Sequence, residues 1–340
     1  VEEETGDFGA KITVVGLGGA GCNTVTRLTD IGITSAETIA MNSDKLHLGI
    51  VRAHKKHLLG QSLTRGLGCG GYPEVGARSA EADKEQIRQL LEGSELVFIT
   101  AGMGGGTGTG AAPVVAQIAK EMGACVVGMV TFPFALERVR MKKALAGISE
   151  LKNHADTVVL IDNNKLVSYV PNLPIDKAFA LADEIVANAV KGISDTIQYP
   201  SLINIDFADI KALMNNKGLA VISIGEGQGG GRVEEAINST LRNPLLEVAY
   251  DGANGALIHI SGGKSLTLGD ATAIGEGVGK PLAESANVLW GARVNEELGD
   301  RYIVTSIITG VKSRILDKDF TPSFQFVNQQ PQVMQSDISI

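Results

Sequence analysis

Nine consecutive residues restrict this chain more than any others: Gly102-Met103-Gly104-Gly105-Gly106-Thr107-Gly108-Thr109-Gly110. Six of the nine are glycine and two are threonine, so the segment has almost no side chain to bury. Before it, residues 95–100 form the apolar run of a buried strand. After it, residues 112–122 carry a helical pattern, with Pro113 near the first turn and Gly123 just past the end. A glycine loop between a strand and a helix N-terminus is a ready anion site. Free backbone N–H groups and the helix dipole attract negative charge, and the missing side chains let a phosphate reach the backbone. The spacing predicts a phosphate cradle rather than a flexible linker.

Two more glycine loops precede it. Residues 11–15 read as a strand, followed by Gly16-Leu17-Gly18-Gly19-Ala20-Gly21 and then a helical stretch from Cys22. That is Gly-x-Gly-x-x-Gly between a strand and a helix, the dinucleotide-binding pattern. A second strand, residues 37–41, ends in Asn42-Ser43-Asp44, about where such a fold places its ribose-binding acid. An NAD(P)-dependent oxidoreductase is therefore one reading, although it offers no evident proton donor and leaves residues 102–110 unexplained. The third loop, residues 63–74, precedes a polar helix over 75–91. Strands at 124–131 and 156–162 follow, separated by Phe132-Pro133-Phe134 and a helix over 137–152. The alternation predicts an α/β fold, a doubly wound, mostly parallel nucleotide-binding sheet. Its loops fall at the carboxyl ends of the strands, the edge where such sheets bind ligands.

Residues 176–198 then repeat apolar side chains at helical spacing through Phe179, Ala182, Ile185, Val186, Ala189, Val190, Ile193 and Ile197. At 1.5 Å per residue this long central helix spans ~33 Å, and so apolar a stripe belongs between two domains. Residues 204–209 place Asn204, Asp206 and Asp209 ahead of a short helix; helix capping and catalysis both fit. The remainder predicts a second, smaller α+β domain, with strands over 219–224 and 255–260 and a hairpin made of 287–294 and 302–311. The glycines of 227–231 read as a mobile loop. The expected division is a flexible N-terminus (1–10), a nucleotide-binding domain (11–175), the central helix (176–198), an α+β domain (199–316) and a flexible tail (317–340).

Composition narrows the classes. At 340 residues, 44% hydrophobic and 20% charged, the chain reads as globular, and a net charge of -8 weighs against a nucleic-acid binder. No apolar run approaches the ~20 residues of a membrane helix, so direct membrane insertion is not expected. Three scattered cysteines suit a reducing cytoplasm, and His54 and His57 lie in a basic surface run without partner ligands, so no metal site is expected from them.

With these residues in place, residues 104–110 resemble the signature loop shared by tubulins and FtsZ. The order of motifs from Gly16 through Asp209 is similar to FtsZ in particular, of the archaeal cell-division type, over about residues 10–316. The resemblance implies a tubulin/FtsZ-like fold and a GTP/GDP site. By motif, Gly18, Gly19, Ala20 and Asn23 lie near phosphate and base, Asn42 and Asp44 at the same edge, and Gly68, Cys69 and Gly70 near the phosphates. Gly102, Gly104, Gly105, Gly106, Thr107, Gly108 and Thr109 form the cradle. Pro133 and Glu137 border the ribose, and Asn163, Phe179 and Asp183 frame the base, where a carboxylate suits guanine's paired donors. FtsZ commonly carries an arginine four residues after the Glu137 position; here that residue is Met141, with Arg138 or Arg140 to stand in. The resemblance also supplies a general base that the cradle lacks. The next subunit brings Asp206 and Asp209 to the attacking water, Asn204 helps hold their loop, and Mg2+ offsets phosphate charge. Such heterologous contact gives an open filament, a homopolymer. A cytoplasmic place at the mid-cell division site and membrane-tethering division proteins bound through the tail are further implications. A cell-shape relative, and a nucleotide-binding scaffold without hydrolysis, are the alternatives within the same resemblance.

Overall fold

Apolar runs on both faces of a strand require helices above and below it, and the first half of the chain is built that way. β1 (Ile12–Leu17), β2 (Glu37–Asn42), β3 (Lys55–Leu58), β4 (Leu96–Gly102), β5 (Cys125–Phe132) and β6 (Thr157–Asp162) align in the order β3-β2-β1-β4-β5-β6, every pair parallel. The structure, a computed structural model, describes residues 10–165, 172–198, 206–215, 218–242, 248–250 and 252–313. On one face Cys22, Val25 and Leu28 of the helix Gly18–Asp30 meet Val186, Val190 and Ile193 of the central helix Ile175–Gln198. On the other, the helices Pro73–Ala82, Thr107–Glu121 and Arg138–His154 cover the alternate side chains. Strand order reverses between β1 and β4, and the first and last glycine loops leave the sheet at that crevice.

The second half continues the same sheet. β7 (Gly218–Gly227) pairs parallel with β6 from Thr157↔Gly218 to Val159↔Ala220. β11 (Tyr302–Ser313) runs antiparallel between β7 and β9 (Gly255–Gly262), and β10 (Asn287–Val294) lies parallel to β9 at the sheet edge. β8 (Val248–Ala249) pairs only with the end of β11. The hairpin expected of β10 and β11 is therefore absent: the two strands flank β9. The link through the helical turn Glu296–Leu298 is anchored by Asn295 N–H on Gly262 O at 2.8 Å, which carries it across the end of β9. The expected helix over 75–91 is likewise two helices, broken at Asp83. The Asp83 carboxylate turns away to accept from Gly60 N–H at 2.8 Å and to meet His57 Nε2 at 3.0 Å.

The central helix lies between the halves as its apolar stripe predicts. Ala182, Val186, Ala189, Val190 and Ile193 are buried, and a side chain added at Gly192 would stand 2.9 Å from Thr305 Oγ1 of β11. Phe179 departs from the stripe and is 41% exposed at the carboxyl edge of the sheet.

The helix after the signature loop starts at Thr107, five residues before its apolar periodicity becomes visible, which puts Pro113 in the second turn. Its glycines are there for packing. A Cβ on Gly110 would lie 1.9 Å from Pro73 O, and one on Gly76 2.4 Å from Gly106 O, so the two helices touch backbone to backbone. Gly110→Ala forces them apart and is expected to cost about 1–3 kcal/mol in urea denaturation, the range for overpacked sites. An unchanged midpoint would mean that this contact carries no stability.

Candidate nucleotide-binding site

Three loops meet at the carboxyl edge. A Cβ on Gly18 would lie 2.9 Å from Gly108 N, and one on Gly102 2.7 Å from Ala20 Cβ, so the first and last glycine loops are in contact across β1 and β4. The third loop joins through a buried polar knot. Ser43 Oγ is 2.6 Å from Thr107 Oγ1 and 3.1 Å from Cys69 Sγ, and Thr107 Oγ1 is 3.5 Å from Cys69 Sγ. Gly68 and Gly70 hold positive φ (83° and 58°) to make this loop's turns. Gly104 has φ 99° and accommodates Arg140, whose carbonyl oxygen would be 2.8 Å from a Cβ there; its N–H donates to Thr109 Oγ1 at 2.8 Å.

The glycines thus divide by role. Gly18, Gly102, Gly106 and Gly108 are needed because protein atoms crowd the place of a Cβ, whereas Gly19 and Gly105 face open space with nothing within 4 Å. Neither the helix from Gly18 nor the helix from Thr107 has a side-chain cap. Two uncapped N-termini around open glycine positions are what a polyphosphate requires.

Glu137 accepts from Phe134 N–H at 3.2 Å and pairs with Arg140 at 2.5 Å. Met141 is buried, and Arg140, one of the two arginines weighed, abuts Gly104. Pro133 is buried, its carbonyl oxygen 3.3 Å from Asn164 Nδ2. Asn163 Oδ1 is buried with no hydrogen-bond partner among the described residues, an acceptor awaiting a donor. Phe179 meets Phe134 edge to face, with ring centroids 5.6 Å apart. Asn23 and Ala20 are exposed on the first helix. Asn42 and Asp44 are used locally: Asn42 Oδ1 accepts from Asp44 N–H at 3.2 Å, and Asp44 caps the helix Lys45–Ile50 by accepting from His47 N–H at 3.0 Å.

Among the described residues, Asp183 is the strongly perturbed acid at this edge. Burial pushes its carboxyl up to about 6, against the lowering effect of a hydrogen bond from Thr24 Oγ1 at 3.1 Å and the charge of Arg27. Sequence reasoning passed over Thr24, and also Asn164, which ties the strand end to Pro133 and Ala135. The doubled amide Asn163-Asn164 was a usable signal for the latter; Thr24 has none, since its contact with Asp183 exists only where the central helix packs on the first.

Asp206 and Asp209 are not at this edge. Asp206 caps the helix Phe207–Met214 by accepting from Ala208 N–H at 3.1 Å, and Asp209 is exposed in its first turn. That helix ends against Thr157, whose Oγ1 donates to Met214 O at 2.8 Å, at the amino end of β6. The six residues of β6 separate the two edges by ~20 Å. Asn204 lies outside the described residues.

Residues 11–171 match the family model described as Tubulin/FtsZ family, GTPase domain, and residues 218–312 match FtsZ family, C-terminal domain. Fold and site together therefore define a tubulin-like GTPase, and the oxidoreductase reading of residues 16–21 gains no support. The chain is 58% identical to Cell division protein FtsZ 2 of Methanocaldococcus jannaschii, over 93% of this chain and 84% of that protein. It is 51% identical to Cell division protein FtsZ 2 of Haloferax volcanii over 92% and 78%. The chain belongs to the FtsZ family of cell-division GTPases. Among solved structures, an empty FtsZ dimer from M. jannaschii superposes with TM-score 0.84 at 48% identity, covering 93% of this chain and 95% of that one. CetZ2 from H. volcanii, solved as a GTPgS-bound protofilament, shares the fold at TM-score 0.77 and 24% identity, covering 89% and 93%.

Burial of an ionised Asp183 has a price in stability whose sign follows from its raised value. Protonation favours the folded state between its ordinary value of 3.8 and about 6, so stability contributed by the neutral form is lost as pH rises through that window. Asp183→Asn is expected to raise the melting temperature of the nucleotide-free protein at pH 7 and to leave it nearly unchanged at pH 4. Equal shifts at both pH values would rule this out.

Proposed function

We propose that the carboxyl edge binds GTP and that a second copy of the chain completes the hydrolytic site. The observation that carries this reading is the separation of the two halves: the open cradle lies at the carboxyl ends of the strands, whereas the helix that carries Asp206 and Asp209 ends against Thr157 at the amino end of β6, a strand about 20 Å long. Within one chain these carboxylates cannot reach a γ-phosphate. Head-to-tail stacking brings one edge against the other and repeats without closing, which makes a filament. Exposed apolar side chains around the cradle fit the same contact: Leu46, Leu67, Leu136 and Val139 are 69% to 85% exposed.

In this reading the N–H groups of the helices from Gly18 and Thr107 hold the phosphates, with Gly19 and Gly105 giving room for their approach and Gly68, Cys69 and Gly70 closing the side. Glu137 takes the ribose and Arg140 adds charge beside Gly104. Phe179 stacks on the base, Asn163 and Asn23 flank it, and Asp183 accepts from guanine N1–H and the 2-amino group. From the neighbouring copy, Asp209 and Asp206 orient the attacking water, and Asn204 supports them. No cluster of three metal-ligating side chains exists among the described residues, so the donor set fits a Mg2+ held mainly through the phosphates. When bound, that ion offsets the charge of the phosphate chain. A dividing cell would use such filaments in the cytoplasm at mid-cell, tethered through residues 329–340, which lie outside the described residues. No helix in the described residues is long and apolar enough to cross a membrane.

Complementation tests the shared site. Gly105→Leu blocks the cradle and keeps the carboxylates; Asp209→Ala keeps the cradle and lacks a carboxylate. Neither alone is expected to release phosphate from GTP at more than a few percent of the wild-type rate. Mixed, they form interfaces with one intact half from each, and activity returns to roughly a quarter of wild type if the copies assort at random. Absence of recovery in mixtures that still co-sediment would overturn assembly of the site from two copies.

A further inference from the structure

Thr24 has no part in the motifs that define the site, yet it is buried beside the carboxylate assigned to the base. It lies on the helix Gly18–Asp30 where that helix packs on the central helix. Its Oγ1 is 3.1 Å from Asp183 Oδ1 and 3.3 Å from Ala20 O, one turn back on its own helix. A hydroxyl carries one proton, so it donates to only one of these oxygens at a time. When Asp183 is ionised, the charge-assisted bond to the carboxylate is the stronger. When Asp183 is protonated, the hydroxyl turns to Ala20 O, the ordinary back-bond of a helical threonine.

From this pairing we infer that Thr24 is a positioning residue for guanine recognition: its hydroxyl fixes one carboxylate oxygen of Asp183, so that the carboxylate presents its free acceptor edge to the base. The inference rests on the assignment of Asp183 to the guanine donors. One further contact makes the arrangement specific. Arg27, one turn along from Thr24, pairs with Glu184, the neighbour of Asp183, at 2.7 Å, so a second contact beside the bond holds the two helices in register. Arg27, whose charge also favours the ionised form of Asp183, is held in this pair with Glu184. Thr24 is then the neutral donor that orients the carboxylate and favours its charged form. The carboxylate must be ionised to accept from N1–H and the 2-amino group together. Adenine offers no such donor pair, so the bond from Thr24 affects guanine nucleotides selectively.

The experiment is equilibrium binding of GTP and ATP, by competition with a fluorescent guanine nucleotide, from pH 5 to 9. It compares the wild type with Thr24→Val, which keeps the shape and removes the hydroxyl, Thr24→Ser, which restores it, and Asp183→Asn. In Thr24→Val the pH at which GTP affinity is half lost moves up by about one unit, and the GTP-over-ATP preference at pH 7 falls about tenfold. Affinity recovers at pH 9, and Thr24→Ser behaves as wild type. If Thr24→Val folds poorly by its melting curve, Thr24→Ala takes its place with the same expectation. An unmoved pH midpoint with unchanged preference overturns the inference. So does an equal loss for GTP and ATP at every pH, which marks a packing role only. If Asp183→Asn retains the preference for GTP, the assignment of Asp183 to the base fails and the inference with it. If Asp183→Asn loses the preference and Thr24→Val keeps it, only the role of Thr24 fails.

Discussion

The close approach of two glycine loops across β1 and β4 is the constraint on which the rest of the structure depends. Gly18 meets Gly108, and Gly102 meets Ala20, at distances that no added side chain permits. This contact brings two uncapped helix N-termini to one place, and each is electrostatically incomplete alone. The neighbouring backbone contacts, Gly110 on Pro73 and Gly76 on Gly106, hold the helices that carry the loops. The glycines serve packing first, and the anion site follows from where the packing leaves the N–H groups.

The parallel sheet then sets what the site lacks. All loops that follow its parallel strands gather at one edge, and residues that precede a strand gather at the other. The helix that begins with Asp206 and Asp209 leads into β7 and ends against Thr157 at the amino end of β6, the edge opposite the cradle. The central helix joins the two edges. Its first turns carry Phe179 and Asp183 to the carboxyl edge, and its middle packs Gly192 on β11.

Much of this was legible in one dimension, for definite reasons. β1, β4, β5 and β6 are buried on both faces, so their unbroken apolar runs announce them. The central helix is legible because its buried stripe recurs at helical spacing over 24 residues. Legibility fails where local pattern is silent. The first turns of the helix from Thr107 contain only Thr, Gly and Ala and show no apolar period. β10 and β11 read as a hairpin because they are close in sequence, whereas β9 takes the place between them. Asp83 sits inside a continuous helical pattern and breaks it through a side-chain bond to Gly60, 23 residues away.

The amino-acid sequence by itself determined the kind of ligand and the family. Glycine, threonine and aspartate at fixed spacings are direct statements about backbone room, hydroxyls and carboxylates, and those do not depend on long-range contacts. Only the tertiary structure decided how those residues divide the labour. It separated the glycines crowded by protein from Gly19 and Gly105, which face open space, and it set Arg140 against Gly104 while burying Met141. It gave Asp183 a buried neighbour in Thr24 and set Asp206 and Asp209 at the far edge. These outcomes depend on which atoms come within a few ångströms of each other across the sheet, a property of packing that no local pattern encodes.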